Sequence, residues 1–360
     1  MMGIGYASET GLVESILGEY DFSAANEWLE SILPDQGLRI EEMLEQMLHG
    51  ELPLKPIELL NMGIECIIGE WAARKELFCV ILLCGLLTAV CRNISGLYEN
   101  KQIMSMGTYL IQALLGSYLM VAFYDIVRIV GESIGRLIEL LHVMLPAYFI
   151  TAGVAVGAGT ATGLYEIEMV VIYLLEVLFQ LVLCPMVSAA MVLSVMSGIT
   201  GNESMKYLLK LHNKIFKWIL RISMALIGGF SMMQGLFAPV LDGVSYGTAQ
   251  KLLAALPGLG NITDTTMQMV SGSLLLIKNS IGIVILSLIV LVCTIPMARV
   301  LFVVLIVHLG SALIGLVTDA GPVTLLERTG NCCMQMFRLL VSAVLLNFMI
   351  IAIVASCRIY

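Results

Sequence analysis

Long apolar runs that alternate with short polar breaks occupy most of this chain after about residue 72. The run Met169–Met196 contains one charged side chain, Glu176, and the run Ser280–Val317 contains only Arg299. An α-helix needs about 20 apolar residues to cross the hydrocarbon core of a bilayer, and both runs are longer. Charged residues make up 13% of the chain, whereas a soluble domain carries about 25%. The sequence therefore predicts an all-α, polytopic membrane protein.

About seven membrane crossings are predicted from these runs. The runs are residues 72–92, Ile103–Tyr124, Met169–Met196, Trp218–Ala238, Ser280–Val317 and Cys333–Cys357. Ser280–Val317 is too long for one crossing, so Pro296 and Arg299 are predicted to divide it into two. The count holds if Pro185 only kinks its helix, because neighbouring helices can satisfy the carbonyl that a proline frees.

Two further segments combine apolar character with many small residues. Val143–Gly163 contains Pro146, and Leu252–Gly272 contains Pro257. Irregular backbone at membrane depth is tolerated only where protein or a water-filled cavity surrounds it. Both segments are therefore predicted to be re-entrant or interfacial. The stretch Asp125–His142, before the first of them, has the spacing of an interfacial amphipathic helix.

Two dipeptides recur at a constant offset of 111 residues. Leu-Pro at residues 145–146 returns at 256–257, and Pro-Met at residues 185–186 returns at 296–297. This repetition predicts an internal duplication, with helix breaks at Pro146, Pro185, Pro257 and Pro296. The membrane part is divided into two N-terminal spans (73–124), a first repeat unit (125–239) and a second repeat unit (240–357). Three crossings per unit would invert the second unit relative to the first, as in many transporters.

The first 72 residues form a separate acidic module. Residues 1–76 hold 15 of the 27 acidic residues of the chain but only 4 of its 19 basic residues. Apolar residues at helical spacing predict two amphipathic helices between residues 22 and 49. Residues 1–8 are similar to the end of a signal peptide that lacks its basic start. The module is predicted to be extracytoplasmic and to pack on the membrane surface or on a partner.

Basic residues in short loops orient the predicted spans. The densest group, Lys206, Lys210, Lys214, Lys217 and Arg221, is placed in the cytoplasm by the positive-inside rule. Counting crossings from there predicts an extracytoplasmic N-terminus and a cytoplasmic C-terminus. No segment is basic enough to predict binding to nucleic acid.

Polar residues within the predicted spans are the candidate functional residues. Glu176 and Gln180 are four residues apart and share one helix face, and a carboxylate at that depth normally faces the bundle interior or water. They predict either a polar lining with a proton-linked role or an interhelical hydrogen bond with Glu176 protonated. Lys278 and Asn279 extend this lining, and Lys278 either snorkels to the interface or pairs with an aspartate. Glu168 is expected to be solvated at the outer interface.

The sequence contains no hydrolase, metalloprotease or phosphate-loop signature, so no catalytic residue, cofactor or metal site is predicted. Its nine cysteines form no Cys-x-x-Cys pair, and cysteines in apolar runs are typical of buried thiols. The protein is therefore predicted not to be an enzyme.

Residues 242–296 carry a pattern that resembles one protein family. The matching residues, expected to form a motif loop and its flanks, are Asp242, Gly243, Thr248, Ala249, Pro257, Gly260, Asp264, the segment Leu-Leu-Leu-Ile-Lys-Asn-Ser-Ile-Gly that ends at Gly282, and Pro296. With the order of apolar runs over roughly residues 75–355, they are similar to the stage III sporulation protein AE family. The chain departs from the family pattern in its incomplete signal-like start and in Gly-Thr-Ala-Gln at 247–250, where the family tends to have Arg-Thr-Ala-Lys.

The resemblance implies a role in endospore development. Family members are expected as multi-pass proteins of the mother-cell membrane that faces the forespore, in a channel or secretion-like complex needed after engulfment. The partners it implies are the other stage III sporulation proteins AA to AH and, indirectly, stage II sporulation protein Q. Membrane lipids and a second copy of the chain are further expected partners. The alternatives are an autonomous secondary transporter, with Glu176 as its proton-coupled group, and a membrane scaffold without a conduit.

Overall fold

The computed structural model describes residues 22–32, 39–48, 56–95, 101–156, 160–200, 204–254, 260–318 and 321–356. All regular secondary structure in these ranges is helical, which confirms the all-α prediction. The proposed signal remnant at residues 1–8 and the proposed break at Pro257 lie outside the described residues.

Nine α-helices and one π-helical segment make up the regular structure of the described residues. They are α1 (Ser23–Ile32), α2 (Ile40–Leu48), α3 (Pro56–Ser95), α4 (Lys101–Val156), α5 (Thr160–Leu178), the π segment (Phe179–Leu183), α6 (Cys184–Thr200), α7 (Ser204–Ala254), α8 (Gly260–Gly315) and α9 (Gly321–Ser356). Because the π segment joins α5 to α6 without a loop, helices α3 to α9 form six continuous rods.

The six rods of the described chain alternate in direction. Helices α8 and α9 are antiparallel, because Gly315 lies against Val323 while Gly330 lies against His308. Contacts of the same kind make α3 parallel to α8, and α7 parallel to α9. Rods α3, α5–α6 and α8 therefore run opposite to rods α4, α7 and α9. Glycine permits these close approaches because it has no side chain to separate the helices.

Two rods pass through positions where the sequence predicted breaks. Helix α4 continues through Pro146, and α8 continues through Pro296. The prediction that Pro296 and Arg299 divide Ser280–Val317 into two segments is therefore wrong for the helical backbone. Backbone polar groups shielded from water must be satisfied internally, and a helix that continues through proline keeps all the backbone bonds except those next to the ring. The expected interfacial stretch Asp125–His142 is likewise part of the continuous helix α4.

The rod α5–α6 changes its hydrogen-bond pattern just before Pro185. The amide of Cys184 donates to the carbonyl of Phe179, five residues back instead of four. Proline has no amide hydrogen and its ring crowds the preceding turn, and the wider π turn accommodates this mismatch. The break predicted at Pro185 thus corresponds to a local change of helix type.

Four stretches of the described helices are long and apolar enough to cross a membrane: Met106–Val143, Ile167–Thr200, Asn279–Gly315 and Gly321–Met349. They support a membrane protein, but the count of seven spans is not confirmed. With six rods, α3 begins and α9 ends at the same end of the bundle, whereas seven crossings would put the termini on opposite sides. The orientation of the chain and the re-entrant character of residues 143–163 and 252–272 stay predictions.

The N-terminal helices α1 and α2 are the amphipathic pair that the sequence predicted. The Asn26 side chain joins them, because its Oδ1 accepts a 3.0 Å hydrogen bond from the Ile40 amide and its Nδ2 donates to Glu41. Trp28 and Met43 are buried, and the pair contacts α4 and α8. These two helices therefore pack on their own chain, whereas the sequence predicted packing on the membrane surface or on a partner.

Candidate functional site

A buried carboxyl group and a buried amide meet between α5 and α9. Glu176 and Asn347 are both 0% exposed. Asn347 Nδ2 donates a hydrogen bond to Glu176 Oε1, and it donates another of 2.9 Å to the carbonyl oxygen of Ala343, one turn back on α9. An ionisable side chain within a membrane helix is costly and is retained where it is paired or functional. This pair is therefore the leading candidate site.

Two acceptor atoms of the pair have no hydrogen-bond partner among the described residues, Glu176 Oε2 and Asn347 Oδ1. A carboxylate can only accept hydrogen bonds, whereas a protonated carboxyl group also donates one. One proton on Oε2 would therefore provide the donor that both unsatisfied oxygens lack. Of the two roles predicted for Glu176, the structure contains the interhelical hydrogen bond.

Gln180 lies one turn after Glu176 but contacts a different helix. It belongs to the π segment and is partly buried, and its Nε2 atom faces Gly135 of α4. Side chains of α5 and α9 therefore form the Glu176–Asn347 pair, and Gln180 extends the polar group toward α4. The sequence predicted Glu176 and Gln180 on this face, but not Asn347.

Polar side chains continue along one face of α9 toward its N-terminus. The contacts are Arg328 with Ser197, Cys332 with Ser194, and Gln335 with both Asn213 and His212. The spacing of residues 328, 332 and 335 puts them on one helix face. This spacing is visible in the sequence, but the partners on α6 and α7 are far away in the chain and were not predicted.

A cluster of charges links the middle of three long helices. Glu70 of α3 forms ion pairs with Arg74 at 2.8 Å and with Arg299 of α8 at 3.0 Å. Arg74 also lies 3.9 Å from Asp125 of α4. The Glu70 side chain is 13% exposed and that of Arg299 is 47% exposed. Arg299 therefore sits in a continuous apolar helix with its charge paired rather than at a break.

The other predicted lining residues lie apart from Glu176. The contacts of Gly315 with Val323 and of Gly330 with His308 put Asn347 level with residue 291 of α8. Asn279 precedes that position by 12 residues, or about 18 Å of helix, and its buried Oδ1 has no partner among the described residues. The Lys278 side chain lies outside the described residues. Glu168 is 0% exposed, so the expectation that it is solvated is wrong. It is eight residues before Glu176 and therefore shares the inward face of α5.

The residues expected to form a family-motif loop lie in helices instead. Asp242, Gly243, Thr248 and Ala249 belong to α7, and Gly260, Asp264 and Gly282 belong to α8. Only residues 255–259, between these helices, lie outside the described part. Helical backbone satisfies its own polar groups, which favours helix over loop in such an apolar sequence.

The described cysteines are free thiols, and five of the seven are buried. Within the described ranges, no group of three or more His, Cys, Asp or Glu side chains is placed to hold a metal ion. The hydrogen bond between Asn347 and Glu176 couples α5 to α9.

Two comparisons with known proteins identify relatives of this chain. The family model described as "Stage III sporulation protein AE" matches residues 38–357. Stage III sporulation protein AE of Bacillus subtilis (strain 168) is 20% identical over 351 residues, which covers 96% of this chain and 88% of that protein. No solved structure matches.

Proposed function

Because this chain belongs to the stage III sporulation protein AE family, we propose that it is a non-enzymatic membrane component of a channel or secretion-like complex required for endospore development after engulfment. Family membership over most of the chain is the observation that carries this proposal. The apolar rods support a membrane location. We place the protein in the mother-cell membrane that faces the forespore.

The buried polar contacts support a role in assembly or passage rather than in catalysis. They pair side chains across helices, as Gln335 pairs with Asn213 and Asn347 with Glu176. Interhelical hydrogen bonds of this kind fix the packing of membrane bundles. The stage III sporulation proteins AA to AH are proposed partners, and stage II sporulation protein Q is a proposed indirect partner.

Deletion of the gene in its own bacterium tests the sporulation role. We expect engulfment to finish and the forespore to collapse afterwards, with heat-resistant spores lost by several orders of magnitude. A wild-type copy at a second locus should restore the spore count. A normal yield of heat-resistant spores in the deletion strain would contradict the proposal.

An autonomous secondary transporter is the second candidate, favoured by the unsatisfied Oε2 atom of buried Glu176. In that case Glu176→Gln, which cannot release a proton, should abolish substrate uptake into proteoliposomes while leaving the helical content unchanged. Uptake that is equal in Glu176→Gln and wild type, or absent in both, would exclude this candidate.

A further inference from the structure

The first half of α7 presents three different faces. Its core face contains Phe216, Ser223 and Ile227, which are buried, and His212 on the same face hydrogen-bonds Gln335 of α9. These contacts fix how the helix is rotated about its axis. They consequently also fix which side chains point away from the bundle.

A basic row occupies the second face. Lys210, Lys214, Lys217 and Arg221 are all exposed, and their spacing of 4, 3 and 4 residues aligns them on one side of the helix over about 16 Å. None of the four forms an ion pair with a carboxylate that the structure describes. Four positive charges in a line, without a described carboxylate beside them, favour a polyanionic surface as their partner.

An apolar stripe occupies the third face, directly beside the basic row. Its members are exposed and spaced by four, four, three and four residues: Tyr207, Leu211, Ile215, Trp218 and Ile222. Tyr207 is 73% exposed and Trp218 is 65% exposed, and such aromatic rings are enriched at membrane–water interfaces. Lys210 Nζ lies 5.8 Å from the centre of the Tyr207 ring, so the two faces adjoin.

The charges also distinguish this section from the membrane-crossing helices. Over its described residues, α7 is not among the four stretches apolar enough to span a membrane. A helix with a basic face and an aromatic and aliphatic face next to it is typical of a segment that binds the bilayer interface. An acidic protein with an apolar face is the competing occupant, and it would shield Trp218 from contact with lipid.

We propose that the basic row and the apolar stripe of α7 form a binding surface for anionic phospholipids. The headgroup phosphates bind the row, and the acyl chains near the glycerol contact Trp218 and its neighbours. The long Lys stems let the charged heads reach one headgroup layer. The inference needs only a membrane protein and is independent of the sporulation role.

Quenching of Trp218 fluorescence by brominated lipids tests the proposal in the full chain. The protein has three tryptophans, so Trp28→Phe with Trp71→Phe leaves Trp218 as the reporter. The protein is reconstituted in vesicles that contain brominated phosphatidylglycerol or brominated phosphatidylcholine at equal mole fraction. We expect the apparent affinity for phosphatidylglycerol to be at least about fivefold higher, the contribution of one Lys near an anionic surface. The preference should fall as salt is raised.

Substitutions in the basic row test whether these residues cause the preference for phosphatidylglycerol. Combined Lys210→Gln, Lys214→Gln and Lys217→Gln should bring the affinity ratio close to one, whereas Lys→Arg at the same positions should retain it. A chain with Trp71 of α3 as its single tryptophan should show a smaller preference, because no such row lies beside it. Should the Gln variant lose helical content, the salt series on the wild-type row decides.

Three results would overturn the proposal. Equal quenching by both lipids would remove the anionic preference. Absence of quenching by either lipid would mean that protein or water, not lipid, covers the stripe. Abolition of the preference by soluble glycerophosphate at low concentration would indicate a site for a free phosphate group instead of a lipid surface.

Discussion

Pro185 and Pro296 sit in the same Pro-Met dipeptide, 111 residues apart, yet the two rods accommodate them differently. Pro185 follows a π segment and is exposed, whereas Pro296 is buried within a continuous α-helix. The proline removes the same backbone hydrogen bond in both rods. The difference therefore comes from the surroundings of each rod, and a shared dipeptide does not specify a shared local structure.

The polar side chains of the two rods differ as well. The positions of Glu176 and Gln180 correspond, at the 111-residue offset, to Ser287 and Leu291. Within the part of the chain that the structure describes, Ser287 bonds only the Ile283 carbonyl of its own helix, and Leu291 is buried. π turns are often found at functional sites, and in this chain the π segment coincides with the rod that carries the buried carboxyl group.

The two rods also run in the same direction, because both are antiparallel to α9. One rod, α7, separates them, so each 111-residue step contains two rods rather than three crossings. If the chain arose by duplication, its copies are therefore parallel and not inverted. The duplication itself stays a prediction.

Removal of the Glu176 carboxyl group is expected to have the largest effect. Glu176→Ala leaves the buried Asn347 amide without its partner on α5 and opens a cavity, so we expect a loss of about 2–3 kcal/mol in unfolding free energy. Reversible unfolding by a denaturing detergent, followed by circular dichroism, measures this loss. The matched control at the repeat offset is Ser287→Ala, which should change stability by less than about 0.5 kcal/mol.

Glu176→Gln refines this comparison, because glutamine keeps the shape of the side chain and supplies a donor. It should retain most of the stability that Glu176→Ala loses. Equal losses of unfolding free energy in Glu176→Ala and Ser287→Ala would contradict the prediction. They would mean that the hydrogen bond between Asn347 and Glu176 adds no more stability than the Ser287 hydroxyl group.

The helical class and the unusual character of Glu176 were predictable from the sequence, because they depend on local hydropathy. The apolar spacing in residues 22–49 likewise predicted α1 and α2. Helix continuity at Pro146 and Pro296 was not predictable, since proline alone favours a break. Whether a helix continues depends on the neighbours that protect the backbone, and a single sequence does not reveal them.

The partners of the site were not predictable for a related reason. Asn347 is 171 residues away from Glu176, and nothing in the local pattern around either residue identifies the other. Arg299 is an example of a wrong prediction. The sequence predicts a helix break there, but Glu70, on a distant helix, pairs with the charge of Arg299. The structural role of Glu176 and of Arg299 therefore depends on a partner that is far away in the chain.

Glycines at close helix contacts provide a second comparison of the two rods. We expect their substitution to have an intermediate effect on stability. A Cβ atom added at Gly198 of α6 would meet Leu325 Cδ1 at 2.7 Å and Leu325 Cβ at 3.1 Å, whereas at Gly310 of α8 it would meet Ile81 Cγ2 at 2.6 Å and Ile81 Cβ only at 3.6 Å. A Cγ2 methyl can move by rotation of its side chain, but a Cβ atom moves only with its backbone. We expect Gly198→Ala to cost about 2 kcal/mol and Gly310→Ala about 1 kcal/mol.

Gly131 of α4 is the control for these alanine substitutions, since a Cβ there would meet nothing within 4 Å. Gly131→Ala should raise stability by up to about 1 kcal/mol, because alanine favours helix. The same unfolding assay applies. If Gly310→Ala is less stable than Gly198→Ala, the prediction is wrong, and the contact with Ile81 is the more rigid of the two.

Glu70→Gln, which removes the ion pairs to Arg74 and to Arg299 of the α8 rod, should have the smallest effect of the substitutions at interhelical contacts. The Arg299 side chain is 47% exposed, so solvent screens that pair, and the glutamine oxygen can still accept a hydrogen bond from Arg74. We expect a loss below about 1 kcal/mol. That loss should shrink further at high salt, whereas the loss in Glu176→Ala should not depend on salt, because both members of that pair are buried. Unfolding at low and high salt separates the two cases. If the loss of unfolding free energy in Glu70→Gln does not depend on salt, the polar contacts of both rods are equally shielded from solvent. The two rods would then differ only in the π segment.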